Sequence, residues 1–326
     1  MSDQSLPRVV VIGGGTGMPV LLRGLKSFPI DLTSIVTVAD DGGSSGRLRD
    51  ELSMPAPGDI RNVIAALSDA EPMLLDLFQH RFANGNGLSG HSMGNLLLAA
   101  MTSVTGDFLN GITEISRVLN VKGKILPIAN QNMFLHAEMV DGTIVSGESN
   151  IPKSGKKIKR VFLSPEPVQP LPEAVEAVKQ ADLVIVAPGS LYTSTLPNMI
   201  VSQIGDALRE THGKVVYVCN VMTQYGETTG YTAADHIQAI YDHIGEGCLH
   251  SIVVHNQEID ETMQQKYAEE NASPVIYDTD RLLDLGIEII EGDIIDPNQK
   301  ALRHDTYKIA QLLVSLLQSE QDQKES

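Results

Sequence analysis

The chain has 326 residues, of which 42% are hydrophobic, and it carries a formal net charge of −17 at pH 7. This length suits one large α/β domain, alone or with a small insertion. The negative charge argues against nonspecific nucleic-acid binding, because affinity for a phosphate backbone depends on a basic surface. No apolar run approaches the roughly 20 residues that a bilayer crossing needs, so no membrane association is expected.

The N-terminus and the cysteines predict a cytoplasmic protein. The first residues lack the basic flank and the apolar segment of a secretory signal. Cys219 and Cys248 stand singly, in neither a CxxC pair nor a metal-ligand spacing. This usage is typical of ordinary thiols in a reducing compartment.

Near-continuous apolar strands alternate with helical segments along the chain. Strands are predicted at residues 8–12, 33–39, 125–129, 182–187, 214–219, 250–255 and 274–277. Helices are predicted near residues 18–27, 59–69, 93–104, 108–119, 172–181, 197–211, 233–244 and 302–318. Uninterrupted Val/Ile runs are typical of parallel strands covered by helices on both faces. The sequence therefore predicts a three-layer, doubly wound α/β fold with a mostly parallel sheet.

Residues 131–163 break this alternation. HAEMV, the pair Asp141-Gly142 and TIVSGE show the period and the turn of a β-hairpin. We expect one domain over residues 1–318 with this segment as a small β insertion, followed by a disordered tail at residues 319–326. A basic stretch at residues 153–160 fits a solvated hairpin end better than a partner surface.

Six apolar runs end in small or hydrogen-bonding residues. These endings are Gly13–Gly17, Asp40–Gly43, Asn130, Pro188–Ser190, Asn220 and Asn256. The carboxyl ends of parallel strands share one edge of an open α/β sheet, and ligands bind in the crevice outside that edge. The pattern therefore predicts a single ligand crevice.

The first of these endings, GGGTG, follows a strand and opens a helix. Glycines there let the backbone approach a phosphate, while the helix N–H groups and dipole favour an anion. The dinucleotide fingerprint GxGxxG is only partly met, because Met18 occupies the third glycine position, and no GK[ST] of a P-loop follows. We predict phosphate or diphosphate contact by Gly13, Gly14, Gly15, Thr16 and Gly17. The alternative is a glycine-rich turn without a ligand.

The second strand ends in Asp40 and Asp41. A carboxylate at this position binds ribose in doubly wound folds, and a pair could instead hold Mg²⁺ against a diphosphate. Neighbouring strand residues point to opposite faces, so the two need not act together. Ser45 and Arg47 follow in a Gly/Ser-rich turn, where the guanidinium suits a phosphate. The alternative for Arg47 is an ion pair with Asp50 or Glu51.

Gly90-His91-Ser92-Met93-Gly94 matches the GxSxG nucleophile elbow of hydrolases. The elbow requires a preceding apolar strand, whereas a polar loop precedes it here, so a hydrolase is disfavoured. We predict instead that His91, Ser92 and Asn95 form an anion site at a helix N-terminus. A structural capping role is the alternative.

Three later segments repeat the strand-loop-helix pattern. They contribute the candidate ligand contacts Gly189, Ser190, Tyr192, Thr193, Asn220, Thr223 and Arg303. Neutral amides and hydroxyls without a nearby base suit recognition of a base or sugar better than bond breaking. Arg303 precedes the predicted N-cap Asp305 and suits a phosphate, with a surface salt bridge as the alternative.

Together, IGGGTGM, VTVADDGGSSGRLR, PGDIRN, GHSMGN, APGSLYTS, CNVMTQYGET and RHDTYK resemble the bacterial gluconeogenesis-factor family, the YvcK-type branch of the CofD-like superfamily. The resemblance implies a Rossmann-like core and binding of a UDP-sugar, with UDP-N-acetylglucosamine favoured. It implies that the glycine loop, the Asp40-Asp41 pair, the 189–193 loop and Arg303 form the site. The other branch contains Mg²⁺-dependent 2-phospho-L-lactate transferases. Their acidic pair is followed by further acidic residues, where this chain has Gly42-Gly43-Ser44-Ser45.

Two functions follow from these patterns. The first is a cytoplasmic UDP-sugar-binding regulator that links carbon metabolism to cell shape and envelope-precursor supply, with no catalytic residue and no required cofactor. The second is a nucleotide-dependent transferase with Mg²⁺ held by the Asp pair. NAD(P) binding rests on fold analogy alone. We also predict a regulated protein partner in amino-sugar or envelope synthesis, and a homodimer from base rates.

Overall fold

The computed structural model describes residues 5–257, 259–269, 271–296 and 304–324. Within these residues, seven strands form one parallel sheet in the order β10-β9-β8-β7-β1-β2-β3. Their bounds are β1 Arg8–Gly13, β2 Asp31–Val36, β3 Lys124–Pro127, β7 Leu183–Val186, β8 Lys214–Val218, β9 Ser251–His255 and β10 Glu288–Gly292. The predicted α/β fold with a mostly parallel sheet is confirmed.

Helices flank this sheet. They are α1 Gly17–Leu25, α2 Gly43–Leu52, α3 Gly58–Leu67, α4 Pro72–Gln79, α5 Met93–Thr105, α6 Phe108–Val118, α7 Pro172–Lys179, α8 Leu196–Met199, α9 Ile204–Glu210, α10 Ala233–Ile244, α11 Glu261–Ala268, α12 Thr279–Asp284 and α13 Thr306–Lys324. Helix α1 packs against α3 and α13, and α5 packs against α6. In the central strand β1, residues Val9–Ile12 are at most 2% exposed. Burial on both faces explains why β1 and β7 are uninterrupted apolar runs.

The insertion is a separate antiparallel sheet of three strands in the order β5-β4-β6. Its strands are β4 Phe134–Met139, β5 Ile144–Ser146 and β6 Ile158–Ser164. The predicted turn at Asp141-Gly142 joins β4 to β5, with Gly142 at φ +81°. The basic stretch is largely ion-paired within this sheet, Lys156 with Asp141 and both Lys159 and Arg160 with Glu138.

Two predicted elements differ from the structure. Residues 274–277 form no strand; Pro274 makes an isolated bridge to Met222, and the strand at that edge of the sheet is β10. Proline has no N–H for a ladder, which limits this run to a single bridged contact. The helix predicted at 197–211 is divided into α8 and α9, because Gln203 adopts a left-handed conformation (φ +69°) that a helix interior does not accommodate.

Helix α13 extends to Lys324 and therefore enters the segment 319–326 for which the sequence predicts disorder. No helix in the described ranges combines the length and the apolar character that a membrane crossing requires.

Candidate functional site

A crevice lies where the order of the strands reverses. The chain proceeds from β1 to β2 and β3 on one side, and β7 to β10 continue on the other side of β1. The loops after β1 and β7 therefore lead away from each other, and this divergence is where doubly wound folds bind ligands. A cavity of about 450 Å³ occupies the place, and we call it the switch-point crevice. It is lined by Gly15–Gly17, Val20, Pro188–Ser190, Ser194, Asn220–Tyr225, Tyr267, Ala272 and His304.

The glycine loop and α1 form one wall of the switch-point crevice. Helix α1 begins at Gly17, its N-cap Thr16 makes no side-chain cap hydrogen bond, and its first turn holds no acidic residue. No side chain of α1 or of its N-cap compensates this helix N-terminus, so a compensating negative charge must come from another element or from a bound anion. A Cβ at Gly17 would overlap the carbonyl oxygen of Pro188, so glycine is what lets the β1 and β7 loops approach each other.

One N–H group of the glycine loop is already used by the protein. Gly15 donates its N–H to Asp59 Oδ2 at 2.8 Å, and Asp59 is only 6% exposed. Burial, with a smaller contribution from Asp40, raises the pKa of Asp59 to about 6. The prediction that this loop directs its amides at a phosphate therefore does not hold for Gly15, whose amide points at a carboxylate.

The side-chain amide of Asn220 is hydrogen-bonded to the loop after β7 and is not left free for a ligand. Its Oδ1 accepts from Gly189 N–H at 3.1 Å and its Nδ2 donates to Gly189 O at 2.7 Å. Ser190 accepts from Gln224 Nε2 at 3.0 Å. The Oε1 atom of Gln224 is buried and has no hydrogen-bond partner within the described residues, so it is an acceptor available to a ligand.

His304 closes one end of the switch-point crevice. Its Nε2 donates to the Cys219 carbonyl at 3.2 Å, and burial lowers its pKa to about 4. The imidazole is therefore neutral near pH 7 and supplies no charge for an anion. Arg303, the predicted phosphate contact, lies outside the described residues, and its role stays a prediction.

Several predicted site residues lie outside the switch-point crevice. Ser44 and Ser45 at the start of α2 contact the N-terminus of α5, where Asn95 Nδ2 donates to both hydroxyls at 3.1 and 3.4 Å. His91 Nδ1 is hydrogen-bonded to Ser44 Oγ at 3.0 Å, and Ser92 caps α5 by accepting from Asn95 N–H. All are buried. The bond from Asn95 N–H to Ser92 is the N-cap that the capping alternative predicts. The other bonds join α2 to α5.

Arg47 is exposed on α2, and its guanidinium binds protein rather than the crevice. Its Nη2 donates to the Ser89 carbonyl at 2.8 Å. The ion pair that was the alternative, with Asp50 or Glu51, is also not formed; Asp50 instead pairs with Arg49 at 3.1 Å. Arg47 thus fastens the 89–91 loop to α2.

Asp40 and Asp41 are directed at different elements. Asp40 Oδ1 accepts from Gly42 N–H at 2.8 Å, and its Oδ2 lies against Gly58 at the start of α3. Asp41 Oδ1 accepts from Ser149 N–H at 2.9 Å and from Ser149 Oγ at 2.6 Å, which fastens the insertion to the β2 loop. Among the described residues, no three His, Cys, Asp or Glu side chains are arranged to hold a metal ion. Asp40 and Asp41 each have one oxygen that accepts hydrogen bonds from the protein, and we derive no step through a metal.

Tyr192 and Thr193 lie behind the switch-point crevice. The carboxylate of the buried residue Glu227 accepts from Tyr192 N–H at 3.0 Å and from Thr193 Oγ1 at 2.9 Å. The Tyr192 hydroxyl is hydrogen-bonded to that of Tyr231 at 2.8 Å. These contacts hold the β7 loop against the β8 loop, and of this loop Pro188, Gly189, Ser190 and Ser194 line the crevice.

Comparison with known proteins identifies the family. The family model described as 2-phospho-L-lactate transferase CofD matches residues 9–295. The chain is 57% identical to the gluconeogenesis factor of Bacillus subtilis over 311 residues, which cover 95% of this chain and 98% of that protein. The chain belongs to the CofD family.

Other relatives agree with this assignment. The gluconeogenesis factor of Halalkalibacterium halodurans is 59% identical over 306 residues, covering 94% of this chain and 95% of that protein. A Bacillus halodurans protein of known crystal structure is 58% identical in sequence to this chain, and the two structures align with a TM-score of 0.93. The alignment covers 95% of this chain and 100% of that protein's chain. The resemblance to gluconeogenesis factors that the motifs carry is thereby confirmed.

Three residues that support the CofD-family crevice escaped sequence reasoning. Asp59 and Glu227 stand in PGDIRN and YGET, two segments that carry the family resemblance, yet nothing local shows which backbone N–H groups they accept from. Asn198 is buried on α8, and its Nδ2 donates to Gly13 O at 3.1 Å and Ser194 O at 2.9 Å. All three act across the fold, so only the positions of Asp59 and Glu227 in family motifs could have marked those two, and no local signal marks Asn198.

Asn220→Ala is expected to loosen the β7 loop. Both hydrogen bonds to Gly189 are lost, and a lost net hydrogen bond costs about 1 kcal/mol, so the free energy of unfolding should fall by about 1–2 kcal/mol. Urea denaturation measures this change. Asn220→Asp keeps the acceptor for Gly189 N–H but places a charged oxygen against the Gly189 carbonyl oxygen, so it should lose at least as much stability as Asn220→Ala. Wild-type stability in either variant would contradict the two-bond clamp.

Proposed function

We propose that this chain binds a UDP-sugar, with UDP-N-acetylglucosamine favoured, in the switch-point crevice. The observation that carries the proposal is the cavity of about 450 Å³ between the β1 and β7 loops, at the N-terminus of α1, where neither the N-cap nor the first turn of the helix supplies a negative charge. Its size lies in the range of small-molecule sites. The helix N-terminus suits a diphosphate, and the hydroxyls and amides of Ser190, Thr223 and Gln224 suit sugar hydroxyls.

The chemistry of the crevice favours binding over catalysis. The titratable side chains among its described lining residues are Tyr225, Tyr267 and His304. A general base needs a pKa near the working pH and a free lone pair toward the substrate. His304 has a strongly lowered pKa and donates its Nε2 proton to a carbonyl. This arrangement supports a role for the chain as a ligand-binding regulator, and we propose that it acts in the cytoplasm without a required cofactor.

Regulation requires that the ligand change affinity for a second molecule. A ligand shifts an equilibrium only by its differential affinity for two states, so the UDP-sugar must favour one arrangement of the crevice loops. We propose that a protein of amino-sugar or envelope-precursor synthesis binds the favoured arrangement, and that the chain thereby links carbon metabolism to cell shape. We propose a homodimer as its assembly.

Transfer chemistry is the second candidate, because the matching family model is described as a 2-phospho-L-lactate transferase. A transferase of that kind would consume its nucleotide-activated donor in the presence of Mg²⁺. Incubation with UDP-N-acetylglucosamine, Mg²⁺ and a hydroxyl-bearing acceptor, followed by chromatography of the nucleotides and of the acceptor, tests for transfer of the sugar group. A regulator leaves the donor and the acceptor unchanged, and release of the nucleotide with modification of the acceptor would favour the transferase.

A thermal-shift series tests the ligand. At 100 times its dissociation constant, a ligand that binds only the folded state stabilises it by about 2.7 kcal/mol. We expect UDP-N-acetylglucosamine to raise the melting temperature more than UDP, and both to exceed GTP and NAD at equal concentration. A shift with GTP or NAD and none with the UDP compounds would refute the proposal.

A further inference from the structure

A second cavity continues the switch-point crevice along the sheet edge. It measures about 540 Å³ and shares Asn220 and Val221 with the crevice. Its walls come from the carboxyl ends of β8 and β9, from the segment 274–277, and from Ile259 and Gln264. The sequence marks Asn256 as a strand-end residue, yet none of the predicted contacts uses it or its neighbours. We call this cavity the neutral subsite.

The described lining of the neutral subsite offers no charge suited to a phosphate. It includes no Asp, Glu, Lys or Arg. Burial lowers the pKa of His255, whose Nδ1 accepts from Ile294 N–H, so the ring is neutral near pH 7. A phosphate placed here would lose hydration without gaining a cation from these residues, and a hexose would leave several hydroxyls beside apolar walls. A planar, neutral group fits better.

The walls match the two parts of a nucleobase, its faces and its edge. The apolar walls include Val221, Val254, Val275, Ile276 and Tyr277. Two hydrogen bonds hold the 274–277 wall in place, from Val275 N–H to Val221 O at 2.9 Å and from Ala233 N–H to Ile276 O at 2.8 Å. A preformed apolar wall with a few amides is the usual way in which a protein holds an extruded or free base.

The amides at the end of β9 have a defined donor and acceptor order. Gln257 Nε2 donates to Asn256 Oδ1 at 3.1 Å, which leaves Asn256 Nδ2 as a donor and Gln257 Oε1 as an acceptor. Uracil presents an acceptor, O4, beside a donor, N3–H. Cytosine presents a donor, its 4-amino group, beside an acceptor. The amide pair is therefore complementary to uracil.

We infer that the neutral subsite binds the nucleobase of the nucleotide ligand, and that Asn256 and Gln257 select uracil through its O4–N3 edge. The inference rests on the proposed function, which places the diphosphate at the glycine loop of the switch-point crevice. The ligand then runs from β1 toward β9, away from Asp40, and the sequence prediction of a ribose contact by Asp40 does not apply to this orientation.

Asn256→Asp tests the inference with UDP and CDP as probes in isothermal titration calorimetry. The substitution puts an acceptor where uracil presents O4 and cytosine presents its amino group. We expect the wild type to prefer UDP by roughly tenfold or more, and Asn256→Asp to lose or reverse that preference. Gln265→Glu adds the same charge at an exposed position outside the subsite and should keep the wild-type preference.

Asn256→Ala gives an independent measurement, since it removes the donor without adding charge. It should bind UDP more weakly and discriminate less, while its melting temperature without ligand stays near that of the wild type because Asn256 is exposed. If the wild type binds UDP and both Asn256 variants keep its preference, the base assignment is overturned and the proposed function stands. If the wild type binds neither UDP nor UDP-N-acetylglucosamine, the proposed function fails, and the inference with it.

Discussion

Gly17→Ala is expected to remove most of the affinity for UDP-N-acetylglucosamine. The added Cβ would overlap the Pro188 carbonyl oxygen and lie 2.8 Å from its carbon, so the β1 and β7 loops must separate. Both loops line the switch-point crevice, and α1 begins at this residue. We expect an affinity loss of at least roughly tenfold, equivalent to about 1.4 kcal/mol. Overpacking should lower the free energy of unfolding by about 1–3 kcal/mol.

Gly205→Ala is the matched control. A Cβ at this position in α9 meets its nearest atoms at 3.5–3.8 Å, which is ordinary van der Waals contact. Alanine in a helix is favoured over glycine by roughly 0.5–1 kcal/mol, so this variant should be as stable as the wild type or more so and should bind normally. Calorimetric titration measures the affinity of both variants for UDP-N-acetylglucosamine, and urea denaturation measures their free energy of unfolding. Wild-type affinity in Gly17→Ala would show that the crevice is not the ligand site.

Asp59→Asn is expected to flatten the pH dependence of stability. In the wild type the pKa of Asp59 rises from 3.8 to about 6 on folding, chiefly through burial. Above pH 4 the unfolded chain releases this proton first, so stability falls as pH rises from about 4 to 6 and stays lower above that range. The shift corresponds to at most about 3 kcal/mol. Asparagine keeps an acceptor for Gly15 N–H and has no charge to bury.

The affinity for a diphosphate should also depend on the protonation state of Asp59. A charged Asp59 behind the glycine loop repels the ligand, whereas a protonated one does not, so the wild type should bind UDP-N-acetylglucosamine more tightly at pH 6 than at pH 8. The diester diphosphate of the ligand does not titrate between these values. Asp59→Asn should bind with little pH dependence, and Asp76→Asn, at an exposed position on α4, should behave as the wild type. Parallel pH profiles for wild type and Asp59→Asn would contradict this role.

Local chemistry made much of the fold predictable. The strands β1, β7 and β8 are short apolar runs between turn residues, and such runs leave few alternatives to a buried parallel strand. The Asp141-Gly142 pair indicated the turn of the insertion because glycine accepts the positive φ that the turn requires. The exchange of 274–277 for β10 shows the limit of this reasoning. The strand β10 has only two apolar residues, Ile289 and Ile290, between glutamates, and its pairing with β9 is a long-range contact that no local pattern indicates.

For the candidate site, the sequence indicated which strand-end residues lie together but not which partners their side chains bind. Gly15–Gly17, Gly189, Ser190, Asn220 and Thr223 do meet at one edge, as their positions after adjacent strands indicate. The partners of Asp41, Arg47, His91 and Asn95 were not predictable, because a side chain with several hydrogen-bonding options takes the one that neighbouring elements offer. Here those neighbours are the β insertion, α2, α5 and the 89–91 loop.

The sequence by itself determined the strand and turn chemistry, the glycine loop before α1, and membership of the CofD family, because these depend on residue types at fixed local spacing. The tertiary structure alone decided that β7 lies beside β1, that Asp59 takes the Gly15 amide, and that a second cavity adjoins the crevice at the ends of β8 and β9. Those outcomes depend on which distant segments pack together. Packing is a property of the whole chain, and no local pattern encodes it.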